Sequence, residues 1–123
     1  MSLATVMDRF RPVDLAVDTL SMRKGAGVPG GQEYVTRRIL NDLVRGNTEP
    51  VLVRQLGGGF EIIAGDVEYL AAKKRGSPTV KAMVGELADK EVLLLRVLEG
   101  GRRGDLNAVE EAEIISELRT QYG

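Results

Sequence analysis

Apolar positions along the chain follow two periods in turn, and the switch between them marks the elements. Pro12-Val13-Asp14-Leu15 and the residues just beyond it form a short first strand. Lys24 to Gly31 then packs four glycines and a proline into eight residues. Neither a helix nor a central strand tolerates that composition, so the stretch, glycine-rich from 25 to 31, is a loop. From Gln32 to Arg45 the period becomes helical. Val35, Ile39 and Leu43 step by four beside Leu40 and Val44, and Arg37, Arg38, Asn41, Asp42 and Arg45 fill the remaining positions. Gly46 follows the last periodic residue, where a C-terminal cap belongs.

Val51 to Leu56 and Phe60 to Ala64 are two apolar runs separated by Gly57-Gly58-Gly59, the pattern of a β-hairpin. Asp66 to Arg75 is a short helix with Val67, Leu70 and Ala71 on its inner face. Asp66 is placed to cap it, because a carboxylate there accepts from free backbone N–H groups. Lys73, Lys74 and Arg75 complement the negative end of its dipole, and Gly76 ends it. Thr79 to Val84 alternates as a strand. A third helix opens at Ala88 or Asp89 and runs through Leu98. Its apolar residues go almost right round it, which predicts burial. Gly100-Gly101 breaks the chain, and Asn107 caps a last helix with Glu110 in the capping-box position. Ile114, Leu118 and Tyr122 step by four along that helix.

The order β, loop, α, β-hairpin, α, β, α, α predicts a single α+β domain over residues 1–123, with a small mixed sheet and helices packed beside it. Met1 to Leu3 is set aside as an expression leader.

Composition narrows the chemistry. With 4% aromatics and no Trp, the core is aliphatic. The absence of Cys excludes disulfides and thiol chemistry, and the absence of His removes the commonest general base and zinc ligand. No catalytic residue stands out. The net charge is −1, from 17 basic and 18 acidic residues, whereas a domain that grips duplex DNA chiefly through phosphates carries a basic surplus. No apolar run approaches the roughly 18 residues that span a bilayer, which predicts a cytoplasmic domain with no membrane role.

Three boxes carry a resemblance. Gly46-Asn47-Thr48-Glu49-Pro50-Val51-Leu52-Val53 resembles the Gly-x-x-Gln-Pro-hydrophobic segment of ParB-type partition domains. Gly59-Phe60-Glu61-Ile62-Ile63-Ala64-Gly65 resembles that family's Gly-aromatic-x-hydrophobic-hydrophobic-x-Gly hairpin, which leads into Glu-Arg-Arg. Glu99 to Glu111 resembles its Glu-Asn-x-Gln-Arg-x-Asp-Leu-x-Pro-x-Glu-Glu. The boxes stand in family order at similar spacings. The resemblance implies the fold shared with sulfiredoxins, a pocket for CTP with Mg²⁺, and a switch between an open dimer and a clamp on DNA. It also implies a partition ATPase as partner and a DNA reader in a segment beyond this chain. By resemblance, the nucleotide-binding positions are Gly46, Pro50, Gly65, Asp66, Glu99, Arg102 and Arg103, with Glu99 near the cation. A glycine after a strand lets backbone approach phosphate, and the next helix offers its positive end.

The departures bear on activity. Where the family has Gly-Glu-Arg-Arg, this chain has Gly65-Asp66-Val67-Glu68. Two cations are lost and a carboxylate is gained. At about 1.5–3 kcal/mol per charge-assisted bond, triphosphate affinity falls by orders of magnitude. The family Asn beside Glu99 is Gly100, and Glu49 stands where the family has Gln. Arg102, in place of a Gln, is a candidate replacement cation. Gly65 serves either phosphate or simply a tight strand-to-helix connection. Two alternatives stand beside a partition module with a degenerate pocket: a nucleotide- or metal-dependent enzyme (nuclease, kinase or NTPase) using Asp66, Glu68 and Glu99, and a ligand-free dimerisation module. Sulfiredoxin chemistry is excluded because it needs a cysteine.

Overall fold

The computed structural model describes residues 3–23, 25–28, 31–45 and 49–123. Five strands form one mixed sheet: β1 (Arg11–Ala16), β2 (Leu20–Ser21), β3 (Val51–Leu56), β4 (Gly59–Ala64) and β5 (Thr79–Val84), in the order β1-β5-β3-β4-β2. β1 and β5 run antiparallel, as do β3 and β4, whereas β3–β5 and β2–β4 are parallel. Around the sheet lie α1 (Leu3–Met7), α2 (Gly31–Arg45), α3 (Asp66–Arg75), α4 (Asp89–Leu95), α5 (Gly101–Arg103) and α6 (Ala108–Tyr122). No helix among the described residues is long and apolar enough to cross a membrane.

The central strands are apolar at consecutive positions because the sheet is covered on both faces. Val51, Val53 and Ile62 pack with Leu15, Leu20, Tyr69 and Ala72 on the α3 side. Leu52, Ile63 and Ala64 pack with Val6, Phe10, Val92 and Leu95 on the other side. Successive side chains on a strand point to opposite faces, so each short apolar run feeds both clusters.

The predicted α+β class, the helix at 66–75 and the strands at 51–56 and 79–84 match the observed elements. The hairpin turn is Gly57-Gly58, with Gly59 already paired to Leu56. The segment dismissed as a leader adjoins α1, which opens at Leu3 and buries Val6 against the sheet. The short strand β2 also went unforeseen. The side chains of Leu43 and Val44 in α2, and the proposed cap Gly46, lie outside the described residues.

The largest correction concerns Gly100-Gly101. The rod does not break there. α4 continues through a π-helical segment, Arg96–Gly100, into α5, and the left-handed residue that ends it is Gly104 (φ 78°). Gly100 and Gly101 have φ near −63°, an ordinary helical value, so these glycines are tolerated rather than used as a stop. The wider π turn re-aims side chains. Leu98 is exposed, and the single charged residue at the centre of the rod, Arg96, is fully buried.

Candidate functional site

The site is built where β4 hands over to α3. Gly65 sits at φ 110°, and a Cβ there would lie 3.0 Å from the Cα of Val51 on the neighbouring strand. Both facts require glycine: the left-handed conformation, and the close approach to β3. Asp66, predicted to cap α3, is instead its first helical residue, and Gly65 holds the N-cap position without a side-chain bond. The cap comes from 40 residues away. The buried carboxylate of Asp105 accepts from the Gly65 N–H at 2.8 Å and from the Val67 N–H at 3.2 Å. The positive end of α3 is thereby occupied by the protein's own anion.

Asp66 is freed from capping and turns to Arg96. The guanidinium of Arg96 donates to Asp66 Oδ1 at 2.8 Å and Oδ2 at 2.9 Å, to Glu110 Oε1 at 2.8 Å and Oε2 at 2.9 Å, and to the Ile63 carbonyl at 3.2 Å. These five bonds match the five N–H donors of an arginine. Burial works to lower the Arg96 pKa, but the hydrogen bonds it donates to Glu110 and Asp66, with the field of those carboxylates, outweigh it and raise it, so the side chain stays cationic. Burial raises the Asp66 pKa against the pull of Arg96. Glu110 forms only half of the predicted capping box. Its N–H donates to Asn107 Oδ1 at 2.8 Å, but its carboxylate is committed to Arg96. Arg96 therefore ties the start of α3, the end of β4 and the first turn of α6 into one buried unit.

A second charge cluster stands where α5 meets the segment before β3. Glu49 forks onto Arg102, with its Oε1 3.2 Å from Nη1 and its Oε2 2.6 Å from Nη2. Arg102 also donates to Glu99 at 2.8 and 3.1 Å. Arg103 donates to the Pro50 carbonyl at 2.8 Å and lies 3.4 Å from Glu49 and 3.5 Å from Glu99. Its Nε is buried and has no hydrogen-bond partner among the described residues. The Arg102 hydrogen bond holds the Glu49 carboxyl below its ordinary range against the opposing effect of burial, with smaller help from the fields of Arg103, Arg102 and Arg38. Glu49 and Glu99 in turn raise the Arg102 pKa.

The structure thus brings Glu49, Pro50, Glu99, Arg102 and Arg103 together and places Gly65 and Asp66 at a separate buried junction. Gly46 lies outside the described residues. Val67, at a position of the lost arginines, is core. Glu68 at the other is buried and paired with Arg38 of α2. Glu49 and Glu68 border one open cleft of about 330 Å³ with Asp14, Arg75 and Lys81. The three carboxylates weighed for a metal-dependent enzyme do not converge. Asp66 faces Arg96, Glu68 faces Arg38, and Glu99 faces Arg102. Among the described residues no group of three acidic side chains is placed to hold a metal ion. Arg96 escaped the sequence reading because one arginine in an apolar helix gives no sign that it is buried. The acids at 66, 105 and 110 were visible, but not their convergence.

Known proteins agree with this architecture. The chain is 35% identical over 95 residues to a probable chromosome-partitioning protein ParB of Pseudomonas putida, covering 76% of this chain and 32% of that protein. It is 35% identical over 79 residues to the Vibrio cholerae counterpart, covering 63% and 27%. It therefore spans about a third or less of the length of these relatives. The fold is similar to a C-terminally truncated chromosome-partitioning protein ParB from Caulobacter crescentus complexed with CTP-gamma-S, with TM-score 0.61 and 28% identity over 91% of this chain and 64% of that one. The same Caulobacter protein complexed to the centromeric parS site gives TM-score 0.62 at 28% identity over 89% and 58%. A sulfiredoxin from Arabidopsis thaliana shares the fold alone, with TM-score 0.51 and 21% identity over 71% of this chain and 97% of that one. The model of the ParB N-terminal domain matches residues 18–101, more than half of the sequence, and the chain belongs to that family.

Proposed function

We propose that this domain is the N-terminal module of a chromosome- or plasmid-partition protein whose nucleotide pocket is closed by its own carboxylates. The observation that carries this reading is the fork of Glu49 onto Arg102. A carboxylate held by both terminal nitrogens of a guanidinium occupies the geometry that a phosphate would need. Glu99 takes the remaining edge of Arg102, and Arg103 is shared between both acids and the Pro50 carbonyl. Asp105 fills the helix end that could otherwise receive an anion. With Val67 and Glu68 in place of arginines, a triphosphate meets two carboxylates at the rim and few free donors.

CTP with Mg²⁺ is the ligand to test, because the Caulobacter relative is complexed with CTP-gamma-S. Titration calorimetry of this chain with CTP and Mg²⁺ should give no saturation in the micromolar range. A micromolar dissociation constant would overturn the closed-pocket reading. The module contributes to DNA partition through the parent protein: sequence-specific duplex recognition by a segment outside this chain, homodimerisation, and engagement of a partition ATPase. A gel shift with the full-length parent and candidate centromeric sites tests this. A parent that ignores every such site removes the partition reading.

A further inference from the structure

The stretch between Arg96 and Asp105 is held more loosely than either of its ends. Arg96 is fully buried behind five hydrogen bonds, and Asp105 is fully buried against the start of α3. Between these anchors no apolar side chain is buried, and α5 contains no buried residue. What holds α5 is polar. Arg102 and Glu49 form a half-exposed pair, of the kind that contributes little to stability. Arg103 reaches the Pro50 carbonyl, but its buried Nε lacks a partner among the described residues, which counts against the closed arrangement. A segment with few buried apolar contacts opens locally before the domain unfolds.

Gly100 and Gly101 stand at the root of α5, and nothing in the closed arrangement requires glycine at either. Both hold ordinary helical φ. A Cβ on Gly101 would meet nothing within 4 Å, and one on Gly100 would come no closer than 3.6 Å, to Cδ of Arg96. Gly65 and Gly104 differ, because a positive φ calls for glycine there. Relative to alanine, a glycine inside a helix favours the unwound chain about fivefold, so the pair favours unwinding by about twentyfold. The π turn directly before them is itself a departure from regular helical bonding. Two backbone bonds close over this root: the Gly104 N–H donates to the Gly101 carbonyl at 3.3 Å, and the Asp105 N–H to the Gly100 carbonyl at 2.9 Å. Helical chain rises about 1.5 Å per residue and extended chain about 3.3 Å, so unwinding gives α5 slack to move outward while both anchors stay fixed.

We infer that Gly100-Gly101 is a hinge, and that unwinding there carries α5 away from Glu49 and frees Arg102 and Arg103 for a phosphate-bearing ligand. Glu49 lies ahead of β3 and Glu99 on the anchored side of the hinge, so both acids stay behind. The pocket is then latched, and the apparent affinity for such a ligand is scaled down by the fraction of molecules that are open. What the hinge controls rests on the closed-pocket reading; that the hinge opens does not.

The first test is native-state hydrogen exchange of this chain without ligand. The Gly104 and Asp105 amides should exchange at least about tenfold faster than those of Leu93 and Leu95, with little dependence on dilute urea, as a local opening requires. Gly100→Ala/Gly101→Ala should slow the Gly104 and Asp105 amides about twentyfold. Wild-type amides that track Leu93 and Leu95 across the urea series, or unchanged rates in the alanine variant, overturn the inference. The second test is Gly101→Pro, which removes an N–H and disfavours helix at Gly100. It should hold the hinge open, keep a cooperative melt by circular dichroism, and bind inorganic tripolyphosphate at least about tenfold more tightly than the wild type by calorimetry. A proline variant that fails to fold also overturns the inference. Glu49→Gln/Glu99→Gln separates the two claims. A gain in tripolyphosphate affinity there without one in the proline variant rejects the hinge alone. No gain in either rejects the closed pocket, and with it the hinge's role.

Discussion

Replacing Arg96 by Met tests the buried charge junction most directly. Methionine fits a helical rod and retains apolar volume, so the loss is confined to the guanidinium. Its five hydrogen bonds disappear, and Asp66 and Glu110, respectively 1% and 3% exposed, are left without their cation. Breaking a buried ion pair by removing one partner costs about 3–5 kcal/mol. A domain of this size has about 6–18 kcal/mol of stability in all, so the variant should fold but melt some 10–20 °C lower. Urea unfolding followed by circular dichroism measures the change. The pH dependence adds a signature. Burial raises the Asp66 pKa even with Arg96 present, and without the cation it rises further. A group whose folded pKa is raised loses its stabilisation as pH climbs through that value. The deficit of Arg96→Met should therefore be largest near neutrality and shrink as the pH falls and Asp66 takes up a proton. The triple variant Arg96→Met, Asp66→Leu, Glu110→Leu should recover most of the loss, because uncharged residues of similar size often replace a buried ion cluster at little cost. A single variant that loses under about 1 kcal/mol at pH 7, or a deficit that grows on acidification, would refute the reasoning.

Asp105→Ala removes a charged cap from two N–H groups and should cost about 2–4 kcal/mol in chemical denaturation. Gly65→Ala combines strain at φ 110° with a 3.0 Å approach to Val51, and should lose at least about 1–3 kcal/mol by the same measurement. The rim should behave differently. Glu49→Gln breaks a half-exposed ion pair worth at most about 1 kcal/mol, so thermal melting should barely move. The same change, combined with Glu99→Gln, releases Arg102 and Arg103 and should raise affinity for inorganic tripolyphosphate at least about tenfold by calorimetry, the equivalent of one charge-assisted bond. Unchanged tripolyphosphate binding would mean that these acids do not close the pocket.

Much of the fold was legible because it rests on local rules. The four-residue steps of Val35 and Ile39 and the apolar runs at 51–53 and 62–64 each declare an element by periodicity. Gly76 ends α3 in the left-handed conformation that its position implies. The three boxes identified the family for the same reason, since a motif is a local string. What failed was whatever depended on distant partners. Gly100-Gly101 looked like a stop, but packing around Arg96 carries the helix on to Gly104. Asp66 looked like a cap because Asp often is one, yet Asp105 reaches the helix end from across the domain and releases Asp66 to Arg96. Glu110 occupied its capping position and spent its carboxylate elsewhere.

The sequence by itself determined the order of the main elements apart from α1, β2 and the continuation of α4 into α5, together with the aliphatic core, the family, and the loss of the usual arginines after Gly65. Only the tertiary structure decided what the remaining charges do. A carboxylate in a string can be a cap, a ligand or an ion-pair partner, and its role is set by which cation or N–H group comes within about 3 Å after folding. Here Arg96 claimed Asp66 and Glu110, Arg102 claimed Glu49 and Glu99, and Gly65 serves as the joint between β4 and α3.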